Sequence, residues 1–509
     1  MKLFHIISSI VILGLAASCN LPLKPRPTLV FPTTVPTPLA EVEESPEPSA
    51  QPLATAPPPP LVPSTGRSHK GDLVSYTVQS GDTLPALARR FQTGEQDIAA
   101  LNPWLVASGQ PTTLPPGRAL SIRLAVEPNW EPQVVLLPDY LFVDGPAQVG
   151  FDIQDYLNHT NGWLKNYVDP STIITRSGAG MVEDFALNYS ISPRLLLALL
   201  EYRLHALSQP YPPDSFSLGS PDSYRTYLSM QLSWAANVLN NGYYGWRLGR
   251  LHQFTALDGS LVIPSPWENA SSTALRYYFS RFLSGEEYQE AVSPAGLLHT
   301  YEELFGKIDW SARADKPLLP AGLRQPVLTL PFHAGVRWAL TGGPHSGWGV
   351  GDPLAAIDFA PPSTQTGCDP SPQWATAVAD GVVVRSEDGQ VILDLDGDGN
   401  QQTGWDIQYL HIFQKEAPAV GTHLKTGDLL GHPSCDGGHA NGRNLHIARM
   451  YNGEWMPVGG AVPFVMDGWT VQEGEKEYQG SLTRGDQVVT ANPTGEWMSL
   501  VGAGAGDRQ

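Results

Sequence analysis

The stretch from residue 22 to residue 63 most limits what this chain can fold into, because it is dense in Pro, Thr, Ala and Glu and includes four consecutive prolines at 57–60. Such a composition buries too little apolar surface to fold, and proline favours an extended backbone. Extended at about 3 Å per residue, about 45 residues reach on the order of 100 Å. Residues 20–73 are therefore predicted to be a disordered linker that carries the domains behind it.

The first nineteen residues have the pattern of an export signal. Lys2 precedes an apolar run at residues 6–15, which is too short to span a membrane as a stable anchor. The run ends in LAASC and resembles a bacterial lipoprotein signal, in which the family's cysteine is lipidated and becomes the new N-terminus. Residues 1–19 are thus predicted to be a lipoprotein signal peptide with Cys19 as the lipidation site. An ordinary secretory signal is the alternative, and either predicts an extracytoplasmic protein.

Charge excludes several kinds of partner. The formal net charge is −19 and no region concentrates Lys and Arg, which excludes a nucleic-acid binder. The same charge argues against electrostatic adsorption to anionic membranes or wall polymers. At 509 residues, 41% of them hydrophobic, the chain is expected to form about three globular domains.

Residues 74–123 are predicted to form a small βααβ unit. The segments YTVQSGDTL, LARRF, LN and LPPG follow one another along it, and over this whole length it resembles a LysM module. LysM modules bind glycans that contain N-acetylglucosamine, such as peptidoglycan, in a groove beside the first strand–helix turn. The resemblance implies these glycan-binding residues: Gly81, Asp82, Thr83, Leu84 and Asn102. A module kept only as a spacer is the alternative.

Residues 137–318 are predicted to be an all-α middle domain. Ser192 and Pro193 form a good helix start before the run LLLALLEYR. That run resembles the opening core helix of lysozyme-like lytic transglycosylases, but Arg203 occupies the position of their catalytic glutamate. Glu201 is two residues away, which turns a helical side chain by about 200°. The domain is therefore expected to lack glycosidase chemistry, as an inactive relative or as an unrelated core helix.

Residues 325–475 alternate short strands with Gly-rich turns, which predicts a mainly antiparallel β domain, and residues 476–509 are expected to add a peripheral strand or tail. After the signal only two cysteines remain, Cys368 and Cys435, both in this domain. A lone pair in an exported protein predicts a disulfide. Zinc ligation is the alternative, although neither cysteine belongs to a CxxC pair.

The β domain also holds histidines and a carboxylate in separate segments. They are His345 in GGPHSGWG, Asp358 in AAIDFAPP and His446 in NLHIA. Two histidines and one carboxylate are the three protein ligands that a catalytic zinc takes, with a fourth position left for water.

With the segments ADGVVVRSEDG, QYLHI and VGTHLKTGDLLGH, these residues make the domain resemble the lysostaphin/LytM-type zinc endopeptidases. The resemblance implies that Zn²⁺ is held by His345, Asp358 and His446. Twelve residues separate His345 from Asp358, where the family usually has three, so a glycine-rich insertion is expected to loop out. His333 is the alternative ligand.

The catalytic residues implied by the same family are two further histidines. One matches His411, and the other, the first histidine of an HxH triplet, is replaced by Asn444. Asparagine donates hydrogen bonds but does not carry a proton, and a positioned acid–base group contributes typically 10²–10⁴-fold. Slow catalysis is therefore expected, unless His439 substitutes.

The segment LDLDGDGN imitates the start of a calcium loop, with aspartates at 394, 396 and 398 and Gly399 at the turn position. The acid expected at the twelfth position is missing, because that residue is Trp405. A β-turn with solvated aspartates is therefore favoured over a calcium site.

Two functions follow from these features. The first is an exported, lipid-anchored protein that binds peptidoglycan and hydrolyses its peptide cross-links with a zinc endopeptidase domain. The second is a non-catalytic wall-binding or hydrolase-activating protein with a degenerate peptidase domain.

Overall fold

The computed structural model describes residues 68–107, 113–171, 176–310, 317–363, 367–440 and 442–502. The predicted signal peptide with Cys19 and the predicted linker up to residue 67 lie outside the described residues. No helix within the described ranges is long and apolar enough to cross a membrane.

The first folded unit is the predicted βααβ module. Its elements are β1 (Leu73–Thr77), α1 (Leu84–Arg90), α2 (Glu95–Leu101), α3 (Trp104–Ala107) and β2 (Ala119–Arg123). β1 and β2 pair in antiparallel register. The Thr83 side chain caps α1 by accepting from the amide of Ala86, and the apolar face of α1 places Leu87 and Phe91 in the core. Hydrophobic spacing and capping thus produced the predicted unit.

The middle domain is mostly helical, as predicted, with two short ribbons. Its elements are α4 (Asp139–Phe142), α5 (Ile153–Asn158), β3 (Val168–Asp169), β4 (Arg176–Ser177), α6 (Gly178–Tyr189), α7 (Pro193–Leu204), α8 (Leu228–Arg247), β5 (Phe254–Thr255), β6 (Leu261–Val262), α9 (Ala270–Ser280), α10 (Gly285–Ala291) and α11 (Leu297–Phe305). α7 begins as its sequence predicts, since Ser192 caps it and Pro193 takes the first position. The longest helix, α8, buries Leu228, Leu232 and Leu239 on one side.

The last domain is built on one large antiparallel sheet. Its strands are β7 (Arg337–Ser346), β8 (Leu354–Ala360), β9 (Ala375–Thr376), β10 (Gly381–Glu387), β11 (Gln390–Asp394), β12 (Trp405–Leu410), β13 (His423–Leu424), β14 (Leu429–Gly431), β15 (Leu445–Tyr451), β16 (Glu454–Trp455), β17 (Val465–Met466), β18 (Trp469–Glu473), β19 (Gly480–Arg484), β20 (Gln487–Thr490) and β21 (Leu500–Gly502). The large sheet has the order β13-β10-β11-β12-β15-β8-β7-β21, with β16 on β15. A four-stranded sheet, β17 to β20, and the pair β14-β9 complete the domain.

The two faces of the large sheet pack differently, because successive side chains of a strand point to opposite faces. In β15, Leu445 and Ile447 join a core within the β domain, whereas Ala448 and Met450 join the core of the helical domain. His446 lies between Leu445 and Ile447 in the strand, so its side chain points to the opposite face, towards the helical domain. The candidate site lies on the face that the helices cover.

The predicted tail contributes to the folded domain. β19, β20 and β21 lie within residues 476–509, and β21 pairs with β7 at the edge of the large sheet. The amide of Asn492 also donates to the carbonyl of Leu340. Polar, Gly-rich composition indicated a peripheral element, and long-range pairing with β7 determines where it lies.

The βααβ module packs tightly on the helical domain. Arg90 donates from Nη2 to the carbonyl of Trp246 at 3.0 Å, and the indole of Trp267 donates to the carbonyl of Ser75 at 3.0 Å. Ser80 Oγ accepts from the amide of Leu319 at 2.8 Å. These contacts use the side of the module that includes its first strand–helix turn.

The helical and β domains share buried polar contacts. Glu454 of β16 accepts from the hydroxyl of Tyr243 at 2.9 Å and forms an ion pair with Arg247, and all three residues are buried. The hydroxyl of Tyr244 accepts from the amide of Trp455 at 3.0 Å. One end of α8 is thereby fixed to the hairpin of β15 and β16.

The predicted disulfide is confirmed, since Cys368 and Cys435 are bonded with their Cα atoms 5.1 Å apart. The bond joins the loop after β8 to the loop before β15. Both loops flank strands that carry candidate ligands.

Candidate metal and catalytic site

Three neighbouring strands bring the predicted metal ligands together. His345 lies at the end of β7, Asp358 in β8 and His446 in β15, and Asp358 and His446 are direct partners in the sheet. Irregular register between Gly342 and His345 turns β7 so that its histidine reaches the same place. A Cβ at Gly342 would lie 2.2 Å from Oδ2 of Asp358, so this close approach requires glycine.

The ligand atoms converge closely. His345 Nε2 lies 3.0 Å from His446 Nδ1, and each of these nitrogens lies 3.4 Å from Asp358 Oδ1. Among the described residues, these three side chains form one of two groups whose donor atoms are close enough to hold a metal ion. Two imidazole nitrogens and one carboxylate oxygen suit zinc.

Backbone carbonyls orient both imidazoles. His345 Nδ1 lies 2.8 Å from the carbonyl of Gly343, and His446 Nε2 lies 3.2 Å from the carbonyl of Gly347. Each carbonyl accepts a proton from the ring nitrogen that it faces, which leaves the other nitrogen with a lone pair that points to the common centre. The tautomers inferred from these hydrogen bonds are those that metal ligation needs.

Burial and mutual charge set the titration of the three groups, whose exposure is 4% for His345, 8% for Asp358 and 5% for His446. Burial opposes ionisation of Asp358, but the two histidines hold the pKa of its carboxyl well below the ordinary value. Burial lowers the pKa of His446. Burial also acts against protonation of His345, but Asp358 outweighs it and raises the pKa of His345. Asp358 is thus ionised at neutral pH.

The insertion after His345 docks on the helical domain. The amide of Val350 donates to Asn237 Oδ1 and that of Asp352 to Asn241 Oδ1, both at 2.8 Å. Both asparagines belong to α8. The extra residues therefore loop out as expected, and His345 keeps its position beside Asp358. The alternative ligand, His333, is exposed and lies outside the cluster.

The predicted catalytic residue His411 lies beside the cluster. It follows β12 directly, is 4% exposed, and its ring centre lies 6.4 Å from that of His446. His411 Nδ1 lies 3.1 Å from the carbonyl of Asp436, so Nδ1 carries the proton and Nε2 is free to accept one. Burial lowers the pKa of His411, which keeps the imidazole neutral near pH 7.

Asn444 lies two residues before His446 at the start of β15, on the same face as that ligand. Its backbone N–H donates to the backbone carbonyl of Ser434 at 3.4 Å. Its side-chain Oδ1 is buried and accepts no hydrogen bond from the described residues. His439, the possible substitute, is exposed in the loop that follows Cys435.

Tyr478 completes the site from the C-terminal segment, and the sequence analysis missed it. Its ring stacks on His345 with centres 4.3 Å apart and planes inclined by 17°. The backbone of Tyr478 has φ 65°, and its N–H and C=O bond the backbones of Pro344 and Gly343. A non-glycine residue in this left-handed region is strained and is held by its surroundings. No sequence signal marks a tyrosine 133 residues further along the chain as a neighbour of His345.

The predicted glycan-binding residues of the βααβ module have internal contacts. Asp82 is buried and accepts from Tyr76, from the amide of Gln79 and from Arg90. Asn102 is buried and links α2 to β2, since its amide donates to the carbonyls of Ile98 and Ser121. These two residues have structural roles here, and their glycan contacts stay a prediction.

The turn that begins α1 is also partly covered by other residues of the protein. A Cβ at Gly81 would lie 2.2 Å from the guanidinium of Arg247, so the helical domain covers this glycine. Thr83 and Leu84 are partly exposed. Glycan binding at Gly81, Thr83 and Leu84 likewise stays a prediction.

Glu201 and Arg203 in the last turn of α7 make contacts that support the fold. Glu201 accepts a hydrogen bond from the amide of Leu207 at 2.7 Å, and Arg203 lies over the ring of Phe282 at 5.1 Å. Both side chains help to close the end of the helix. The absence of glycosidase chemistry in this domain stays a prediction.

Comparison with known proteins gives two family matches. Residues 76–123 match the family described as LysM domain, which confirms the predicted module. Residues 135–316 match the family described as LasA, N-terminal domain. The sequence analysis did not anticipate this second match, since it compared α7 with lysozyme-like enzymes.

Protease LasA of Pseudomonas aeruginosa is similar to the chain at 25% identity over 348 residues, which are 65% of this chain and 77% of that protein. Among solved structures, the M23 metalloprotease pseudoalterin from the deep sea has 22% identity, with 33% of this chain and 96% of that chain covered and a TM-score of 0.28. The catalytic domain of lysostaphin from Staphylococcus simulans has 20% identity, with 25% and 89% covered and a TM-score of 0.17. The chain thus combines a LysM domain with similarity to a protease.

Proposed function

We propose that this protein is exported, binds peptidoglycan and hydrolyses its peptide cross-links with a zinc endopeptidase site in the β domain. The observation that carries the proposal is the convergence of His345 Nε2, Asp358 Oδ1 and His446 Nδ1 within 3.4 Å of one another. The similarity to Protease LasA supports peptidase chemistry, and the LysM domain supports a wall glycan as partner.

The donor set fits zinc because it combines two imidazoles, each oriented by a backbone carbonyl, with one ionised carboxylate. When bound, zinc supplies Lewis acidity, which polarises a carbonyl and lowers the pKa of water toward 7. His345, Asp358 and His446 are the residues that hold it in this proposal.

His411 serves as the general base. Its Nδ1–H is fixed on the carbonyl of Asp436, so Nε2 accepts a proton from the attacking water. The same nitrogen then returns that proton to the leaving amine of the cleaved peptide bond. The Asp436 carbonyl stabilises the imidazolium between these two transfers.

Asn444 limits the rate in this proposal. Its NH₂ donates a hydrogen bond to the oxygen that becomes negative as the carbonyl is attacked, which favours the transition state. Asparagine transfers no proton, so His411 alone has to carry both proton transfers. The rate is expected to be about 10²–10⁴-fold below that of a two-histidine site.

The N-terminal segments supply location. Lipidation of Cys19 would anchor the chain to the membrane, and the linker of residues 20–73 would let the folded domains reach the wall. In this proposal the LysM domain binds the glycan of peptidoglycan, and the peptide cross-links of the same polymer are the substrate.

The test is hydrolysis of purified cross-linked peptidoglycan by the full chain with zinc. The release of free amino groups measures the hydrolysis. His446→Ala is expected to abolish release, whereas the matched control His423→Ala, an exposed histidine on β13, keeps it. Equal release by wild type and His446→Ala would exclude the metal assignment.

Asn444, in the place of the second catalytic histidine, favours a second candidate, a non-catalytic wall-binding or hydrolase-activating protein. The two functions differ in one comparison. A silent wild type with activity recovered in Asn444→His would establish the second candidate, whereas measurable wild-type release that Asn444→His accelerates would support the first.

A further inference from the structure

The hairpin between β11 and β12 gathers carboxylates at a second place. Asp394, Asp396 and Asp398 each offer an oxygen, and these oxygens all lie within 4.8 Å of one another. The backbone wraps around Asp394, whose carboxylate accepts from the amides of Gly397 and Gly399 at 3.0 and 2.9 Å. Alternate aspartates followed by glycine form the first half of a calcium loop.

Asp406 supplies the acid that the sequence pattern lacked. It lies one position after Trp405 in β12, and it is the direct antiparallel partner of Asp394. Partners in a sheet point to the same face, so the Asp406 side chain is directed towards the aspartate cluster. The twelve-residue spacing of a standard calcium loop does not apply here, because in a strand only every second side chain points to the same face.

The Asp406 carboxylate is unpartnered and buried. Its exposure is 0%, and within the described residues neither Oδ1 nor Oδ2 accepts a hydrogen bond. The charged groups that act on it are Asp394, Asp396 and Asp398, all acidic, and together with burial they raise its pKa well above the ordinary value. A carboxyl buried in this way is ionised at neutral pH only when it is paired with a cation or coordinates a metal, and otherwise it holds a proton.

We propose that Asp394, Asp396, Asp398 and Asp406 form a calcium site. All four ligands are carboxylates on a glycine-rich hairpin, and Ca²⁺ accepts six to eight oxygens in flexible geometry. Mg²⁺ demands near-ideal octahedral geometry and usually takes one or two carboxylates, and zinc prefers nitrogen and sulfur. The site is independent of the proposed peptidase function.

The position of the site indicates what calcium stabilises. β12 runs from the cluster to Leu410, and His411 follows at a distance of about 16 Å from Asp406 along the strand. The same hairpin contacts the helical domain, since Gln401 donates to the carbonyl of Leu187 at 3.3 Å. Calcium therefore fixes the strand that presents His411 and one contact between the domains.

The experiment measures thermal unfolding and terbium luminescence of the full chain after metal removal. Addition of 10 mM calcium, a concentration of about 10–100 Kd for an extracellular calcium site, is expected to raise Tm by about 2–6 °C, and magnesium by less. Bound terbium is expected to be sensitised by Trp405, the neighbour of Asp406 in sequence. An unchanged Tm and no bound terbium in wild type would overturn the proposal.

Variants separate ligation from folding. Asp406→Asn and Asp396→Asn are expected to lose the calcium shift, whereas Asp486→Asn, an exposed aspartate on another hairpin, keeps it. Without calcium, Asp406→Asn is expected to melt above wild type, because a buried carboxyl beside three other carboxyl groups is replaced by a neutral amide, and a variant that merely folds poorly would melt lower. His446→Ala should retain the shift, which separates this site from the zinc cluster, and persistence of the shift in both Asp406→Asn and Asp396→Asn would refute the assignment.

Discussion

At the scale of single residues, hydrogen bonds to backbone carbonyls determine what each histidine of the site does. Gly343, Gly347 and Asp436 each take one ring proton and so define which nitrogen is free on His345, His446 and His411. The carbonyls belong to strand ends and turns that the sheet fixes in place. Imidazole orientation is thus built into the backbone.

The pH dependence of activity follows from His411. Burial lowers the pKa of His411 below 6.5, and a general base acts in its neutral form. Activity is therefore present above the folded-state pKa and is lost as pH falls through it. We expect the acidic limb of kcat against pH to have its midpoint below 6.5 and to vanish in His411→Ala, and a midpoint above 7 would contradict the role of burial.

Gly342→Ala tests the close approach of β7 to Asp358. The new Cβ would lie 2.2 Å from Asp358 Oδ2, so the carboxylate is displaced from the ligand centre. We expect zinc affinity to fall about 10–100-fold, the range for disturbed support of metal ligands. Competition with a chromophoric chelator measures it. Gly442→Ala, where a Cβ meets nothing within 4 Å, is the control and should bind like wild type.

Residue chemistry and spacing predicted much of the site but not all of it. His345, Asp358 and His446 converge as expected because metal chemistry restricts ligands to few residue types. Tyr478 and the acid at Asp406 were missed, since both depend on strand pairing between distant or alternating positions. The twelve-residue spacing of a calcium loop leads to Trp405, one residue before Asp406.

At the scale of elements, α8 is the helix on which the β domain is aligned. One part of it receives the loop after His345 through Asn237 and Asn241, and its end holds Glu454 through Tyr243 and Arg247. The sequence predicted a helical domain and a β domain separately. Nothing in the periodicity of either one indicated this contact, because it joins polar residues far apart in the chain.

Glu454→Ala tests the buried pair. It leaves Arg247 buried without its partner, and loss of one member of such a pair typically costs about 3–5 kcal/mol of unfolding free energy. Denaturant unfolding of the full chain measures the loss. The matched control is Glu473→Ala, which breaks the half-exposed pair with Arg250 and should cost less than about 1 kcal/mol. Equal losses of unfolding free energy in the two variants would show that burial of the Glu454–Arg247 pair does not add to its contribution to stability.

At the scale of the whole molecule, the LysM domain is packed as part of the folded unit. Trp267 joins the two domains, since its ring contacts Phe91 at 5.0 Å and its indole binds the carbonyl of Ser75. This packing covers Gly81, one of the predicted glycan contacts. The sequence predicted the LysM module and the helical domain separately, and no pattern in it indicated that the two pack against each other.

Trp267→Ala is expected to release the LysM domain and to increase binding to insoluble peptidoglycan about 10-fold, because uncovering the turn at Gly81 removes a competing contact. Co-sedimentation with peptidoglycan measures the change. Trp497→Ala, which removes a tryptophan that is 79% exposed, is the control. Unchanged sedimentation of Trp267→Ala would mean that docking and glycan binding are compatible.

The pairing of β21 with β7 has a consequence for synthesis on the ribosome. β7 emerges early in the β domain, but its neighbour at Leu500–Gly502 emerges much later, together with the segment that places Tyr478 on His345. Domains generally fold in the order of translation, and an unpaired edge strand invites association with other chains. Translation that stops before residue 500 would thus leave the edge of β7 unpaired and open to association with other chains, whereas synthesis through Gly502 allows this edge of the sheet to be covered.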